Sequence, residues 1–130
     1  MSIGRNFSLE EITKMLDDAR RAGDRLYEAK YLTSLAVYYE STNPYKSIQL
    51  TEEAANIYLS IDFSDDTTAI GYAYLCYRAI YTTYRYTLND YRNALLAVDR
   101  MRKLNPDPGA QNVCDYFTEQ LVDLMNRYRK

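Results

Sequence analysis

Residues 90–106 read DYRNALLAVDRMRKLNP. Ala94, Val98 and Met101 recur at intervals of four and three, which places them on one face of a helix. Leu88-Asn89-Asp90 turns the chain before this segment. Asn105-Pro106-Asp107-Pro108-Gly109 breaks it afterwards, because proline and glycine cannot continue a helix there. The spacing predicts a helix over 91–104, entered and left by tight turns.

Working outward, the same signals recur. Ser8-Leu9-Glu10-Glu11 is a capping box, and Leu9, Ile12, Leu16 and Ala19 follow at helical spacing, which predicts a first helix over 8–22. Ala22-Gly23-Asp24 stops it and caps a second helix over 25–41, whose apolar stripe is Leu32, Leu35, Ala36 and Tyr39. Pro44 suits the first turn of a third helix over 44–61. Two adjacent stripes there, led by Leu50 and Ile48, imply a helix gripped from both sides. The loop Phe63-Ser64-Asp65-Asp66 precedes a fourth helix over 67–87, and a sixth over 110–129 carries Val113, Phe117, Leu121 and Leu124 on one face. No segment alternates with period two, so no sheet is expected. Six antiparallel helices make three hairpins, either a closed bundle or a stacked array.

Composition sets the bounds. A chain of 130 residues suits one domain, 1–130, and can bury a core without staples. No apolar run is long enough to span a bilayer, and the N-terminus has no signal-peptide pattern, so no membrane partner is expected. Cys76 and Cys114 form no disulfide framework, and a chain without histidine lacks the usual zinc co-ligands. Both cysteines read as small buried hydrophobes in a reducing, cytoplasmic compartment. Residues 1–66 hold 7 basic and 12 acidic groups, net −5, whereas residues 67–130 hold 9 and 6, net +3. The second half therefore favours an acidic partner, or the two halves favour head-to-tail contact.

The opening segment resembles the second helix of a tetratricopeptide repeat. Ala94, Val98, Met101 and Pro106 sit at the family's intervals, with Met101 in place of the usual alanine. The family's first-helix pattern resembles Leu32-x2-Leu35-Ala36-x2-Tyr39 and Ala110-x2-Val113-Cys114-x2-Phe117. Tyr77-x2-Ile80-Tyr81-x2-Tyr84 is similar, but needs a turn one residue longer after the fourth helix. Glu52 stands where an apolar residue is usual. The resemblance covers residues 9–129 and implies three stacked hairpins in a short right-handed superhelix. It implies an interaction module rather than an enzyme, with no cofactor. It also implies a concave face carrying Lys30, Thr33, Val37 and Glu40 on the second helix, Leu75, Arg78, Thr82 and Arg85 on the fourth, and Gln111, Asp115 and Thr118 on the sixth.

Residue chemistry points the same way. With no histidine, no phosphate loop and no zinc motif, no catalytic or metal site is expected. Adjacent carboxylates such as Glu52-Glu53 point about 100° apart on a helix and make no acid/base pair. Residues 72–91 hold seven of the fifteen tyrosines. Tyr74, Tyr77, Tyr81 and Tyr84 share one stripe and read as packing. Arg78 and Arg85 lie on another stripe, where a guanidinium needs a carboxylate or an aqueous groove. They are expected, with Lys30, to hold an acidic or C-terminal carboxylate group of a partner protein. The alternative is an internal ion pair with Glu40 or Asp115. Thr33 and Val37 stand where a carboxylate clamp of chaperone-binding members would have Lys and Asn, so that ligand is not expected. The other readings are the ligand-sensing domain of a regulator and a helical-repeat RNA binder, the second disfavoured by the acidic first half. Exposed Tyr72 or Tyr86 could instead bury against a second copy in a homodimer.

Overall fold

A computed structural model describes residues 7–61 and 68–128. The class is all-α, and the described residues contain no strand. The helices are α1 (Leu9–Ala22), α2 (Arg25–Tyr39), α3 (Pro44–Ser60), α4 (Thr68–Thr82), α5 (Tyr91–Leu104) and α6 (Pro108–Arg127). The loop expected over Phe63–Asp66 lies outside the described residues.

Local chemistry explains where α1, α2, α3, α5 and α6 begin. Ser8 accepts from the Glu11 amide and the Glu11 side chain accepts from the Ser8 amide, the reciprocal capping box. Gly23 ends α1 in the left-handed region (φ 70°), and its amide reaches the carbonyls of Ala19 and Arg20. Asp24, Asn43, Asp90 and Asp107 cap the following helices, and Pro44 and Pro108 occupy first turns, where a missing N–H leaves nothing unpaired. The break at 105–109 is therefore shorter than the sequence suggests, because Asp107 starts α6 at Pro108.

The fourth helix departs from expectation in a useful way. The regular turn stops at Thr82, and Thr83–Thr87 forms a π-helical turn, closed by the Leu88 amide on the Thr83 carbonyl at 3.0 Å. A π turn absorbs one extra residue. It falls just before the turn that the resemblance expects to be one residue longer. Asn89 then turns the chain at φ 51°.

Each helix packs on its neighbours in sequence, from α1 on α2 through α5 on α6. α3 is held between α2 and α4, as its two apolar stripes require. Ile12, Leu32, Tyr81, Val98, Met101 and Leu121 are among the fully buried side chains. The small residues Ala29, Ala54, Ala55, Ala73, Ala94 and Cys114 are all fully enclosed, which lets neighbouring helices pack closely. The tyrosine stripe is core, with Tyr77 and Tyr81 buried and Tyr74 and Tyr84 packed against it.

A buried carboxylate anchors the outer side. Glu28 takes Arg20 Nε at 3.2 Å and Arg25 at 2.8 Å, while Arg20 also reaches Glu53 at 3.1 Å. This network joins α1, α2 and α3 and had no distinguishing signal in the sequence.

Candidate functional site

α2 and α4 flank α3, and a cleft of about 560 Å³ opens between them. Its floor is built from the buried small side chains Ser34 and Ala36 of α2, Ser47 and Thr51 of α3 and Cys76 of α4, and the exposed Ala79 of α4 also lines it. These are too short to meet across the gap, so the space between the two helices stays open. The hydroxyls turn onto backbone. Ser47 donates to the Ala36 carbonyl at 2.7 Å, Thr51 to Ser47 at 2.8 Å and Thr83 to Ala79 at 3.1 Å.

The rims are apolar. Val37 on α2 is 63% exposed and Leu75 on α4 is 56% exposed. Tyr58 closes the base beside Tyr72, ring centroids 4.8 Å apart. Burial, then the neighbouring Cys76 and Tyr72, push the Tyr58 phenol up to about 12. Burial pushes the Cys76 thiol up to about 12 as well, so it lines the cleft as an unreactive thiol. Cys114 is shifted the same way, chiefly by burial.

Between α4 and α6, rings meet directly. Tyr81 stacks on Phe117 at 4.3 Å, with an interplanar angle of 17°. Tyr74 packs against the same core, and its phenol is raised mainly by burial and then by Cys114, opposed by Arg78. The α2–α4 cleft thus stays open over small side chains, although Tyr58 and Tyr72 also line it, whereas between α4 and α6 the Tyr81 and Phe117 rings stack on each other.

The residues expected on the concave face divide into three groups. Lys30, Thr33, Val37, Glu40 and Leu75 line the open cleft together. Arg78, Thr82 and Arg85 do not line it. Thr82 is exposed and donates to the Arg78 carbonyl at 3.0 Å. Arg78 is exposed, with its guanidinium 5.9 Å from the Phe117 ring centre. Arg85 is half-buried, 3.2 Å from Gln120 Oε1 and 4.8 Å from the Tyr86 ring centre. Gln111, Asp115 and Thr118 all meet Arg102 of α5, with the Arg102–Asp115 ion pair at 2.6 Å.

Neither Arg78 nor Arg85 makes an ion pair among the described residues, and the internal bridges to Glu40 and Asp115 are not formed. The cation on Asp115 is Arg102, which is not among the residues expected at the site, and neither are the small lining residues Cys76 and Ala79. No described helix is long and apolar enough to cross a membrane, and no group of three metal-ligating side chains occurs among the described residues.

No protein-family model, no curated protein and no solved structure matches this chain.

Proposed function

We propose that this chain is a non-enzymatic, tetratricopeptide-like interaction module, an adaptor, scaffold or small chaperone, which takes a segment of a partner protein into the α2–α4 cleft. The observation that carries the reading is the open, apolar-rimmed cleft itself. Its volume lies in the range of specific ligand sites. Its rims expose Val37 and Leu75, side chains that gain from being covered. Beyond the cleft, Arg78 on α4 and Arg85 in the π turn that follows it have no carboxylate partners among the described residues, which favours an acidic stretch continuing out of the cleft.

The test is site-specific photo-crosslinking in the native cell. A benzophenone amino acid replaces Leu75 at the rim or, as control, Leu96, which is exposed outside the cleft. The expected outcome is a partner crosslinked from position 75 and not from 96, lost when Ala79→Trp fills the cleft. Equal crosslinking from both positions, or crosslinking indifferent to Ala79→Trp, would overturn the assignment. Arg78→Glu with Arg85→Glu should weaken capture of that partner while leaving the circular dichroism of the helices unchanged.

A further inference from the structure

The cleft carries one charge at each end and none between. Lys30 stands at one end, its ammonium 5.2 Å from the Tyr27 ring centre and 6.0 Å from the Tyr72 ring centre. It makes no ion pair among the described residues. Ring faces hold a cation without neutralising it, so an anion arriving there meets a positioned and uncompensated charge. Glu40 stands at the other end, at the C-cap of α2, where the helix dipole is also negative. A carboxylate at that place is unfavourable until a cation joins it. Lys46, at the start of α3, does not join it: its ammonium lies over the Tyr39 ring at 4.5 Å. Every other lining residue from α2, α3 and α4 is uncharged.

We propose that this polarity selects the partner: the cleft takes an extended peptide that carries a carboxylate and a cationic side chain about four residues apart, with the carboxylate at the Lys30 end. The inference rests on the reading of this cleft as the partner site. Lys30 and Glu40 are ten residues apart on α2, about 15 Å at 1.5 Å per residue. An extended chain covers that distance in about four to five residues at roughly 3.3 Å each. Between the two ends, the small floor and the Val37 and Leu75 rims accept apolar side chains of modest size. A segment with the opposite orientation would place like charges together at both ends, which is how an interface excludes wrong registers.

The experiment pans a phage-displayed random decapeptide library on the full chain and, in parallel, on Ala79→Trp. The expected result is enrichment, lost in Ala79→Trp, of sequences pairing Asp or Glu with Lys or Arg three to five positions apart. Lys30→Gln should remove only the acidic preference and Glu40→Gln only the basic one. Each should weaken a selected peptide about two- to fivefold, the size of one accessible ion pair. A nitroxide on the acidic end of that peptide should broaden the amide signals of Lys30 and Tyr72 rather than those of Glu40 and Thr83. Enrichment that is lost in Ala79→Trp but shows no acid–base pairing, or broadening at the Glu40 end, overturns the polarity and leaves the cleft as the partner site. Absence of any enrichment sensitive to Ala79→Trp overturns both.

Discussion

Replacing Phe117 by alanine removes what separates the filled space from the open one. The Phe117 ring lies 4.3 Å from Tyr81, itself 2% exposed, and beneath the Arg78 guanidinium. Truncating a fully buried Phe costs about 3–5 kcal/mol, and a stacked pair contributes about 0.5–1.5 kcal/mol of that kind of loss. Phe117 is half-buried, so about 2–3 kcal/mol is expected here. At about 2.1 cal/mol/K per residue, a chain of 130 residues loses about 3.7 °C of melting temperature per kcal/mol. Phe117→Ala should therefore melt about 7–11 °C below the parent, followed by circular dichroism at 222 nm and checked by urea titration. Phe117→Leu should recover more than half of the loss, because it restores bulk without the stack. A shift under about 2 °C for Phe117→Ala would refute the argument that rings hold α6 against α4.

Other consequences are independent of that stack. Glu28→Ala leaves Arg20 and Arg25 without their shared carboxylate, and because both arginines reach water the loss should be about 1–2 kcal/mol in urea unfolding, below that of a sealed pair. Ser8→Ala removes the N-terminal capping box and should cost about 0.5–2 kcal/mol, read as faster amide exchange in the first turn of α1. Burial raises the Cys76 thiol from 9.0 and the Tyr58 phenol from 10.0, each to about 12. Their contribution to stability is complete below pH 9 and is lost as pH rises toward 12, because the unfolded chain ionises first. Cys76→Ala should consequently show a shallower fall in melting temperature between pH 9 and 10 than the parent, and an equal fall would contradict the assignment.

Helix positions were legible because they rest on local chemistry. Ser8, Gly23, Asp24, Asn43 with Pro44, and Asp90 each act through a side chain or backbone angle within a few residues of itself. The stripe of Tyr74, Tyr77, Tyr81 and Tyr84 was legible for the same reason, since periodicity reports which face is buried. The π turn itself had no signal in the sequence, because spacing registers an extra residue without saying whether a loop or a helix absorbs it.

Of the residues expected on one concave face, Lys30, Thr33, Val37, Glu40 and Leu75 line one cleft, and Arg78, Thr82 and Arg85 do not. Arg102 could not be anticipated from its own segment. Its partners Gln111, Asp115 and Thr118 lie nine to sixteen residues away, on the next helix. Nor could periodicity separate the open cleft from the filled one, which depends on small residues of three helices facing one another.

The account turns on the α2–α4 cleft being where a partner segment sits. The most direct measurement is an amide chemical-shift titration of the isotope-labelled chain with a peptide selected by panning. The prediction is shifts concentrated at Lys30, Val37, Leu75 and Ala79, with Leu96 and Tyr45 unmoved. Shifts centred on α5, or spread evenly over both surfaces, would contradict it.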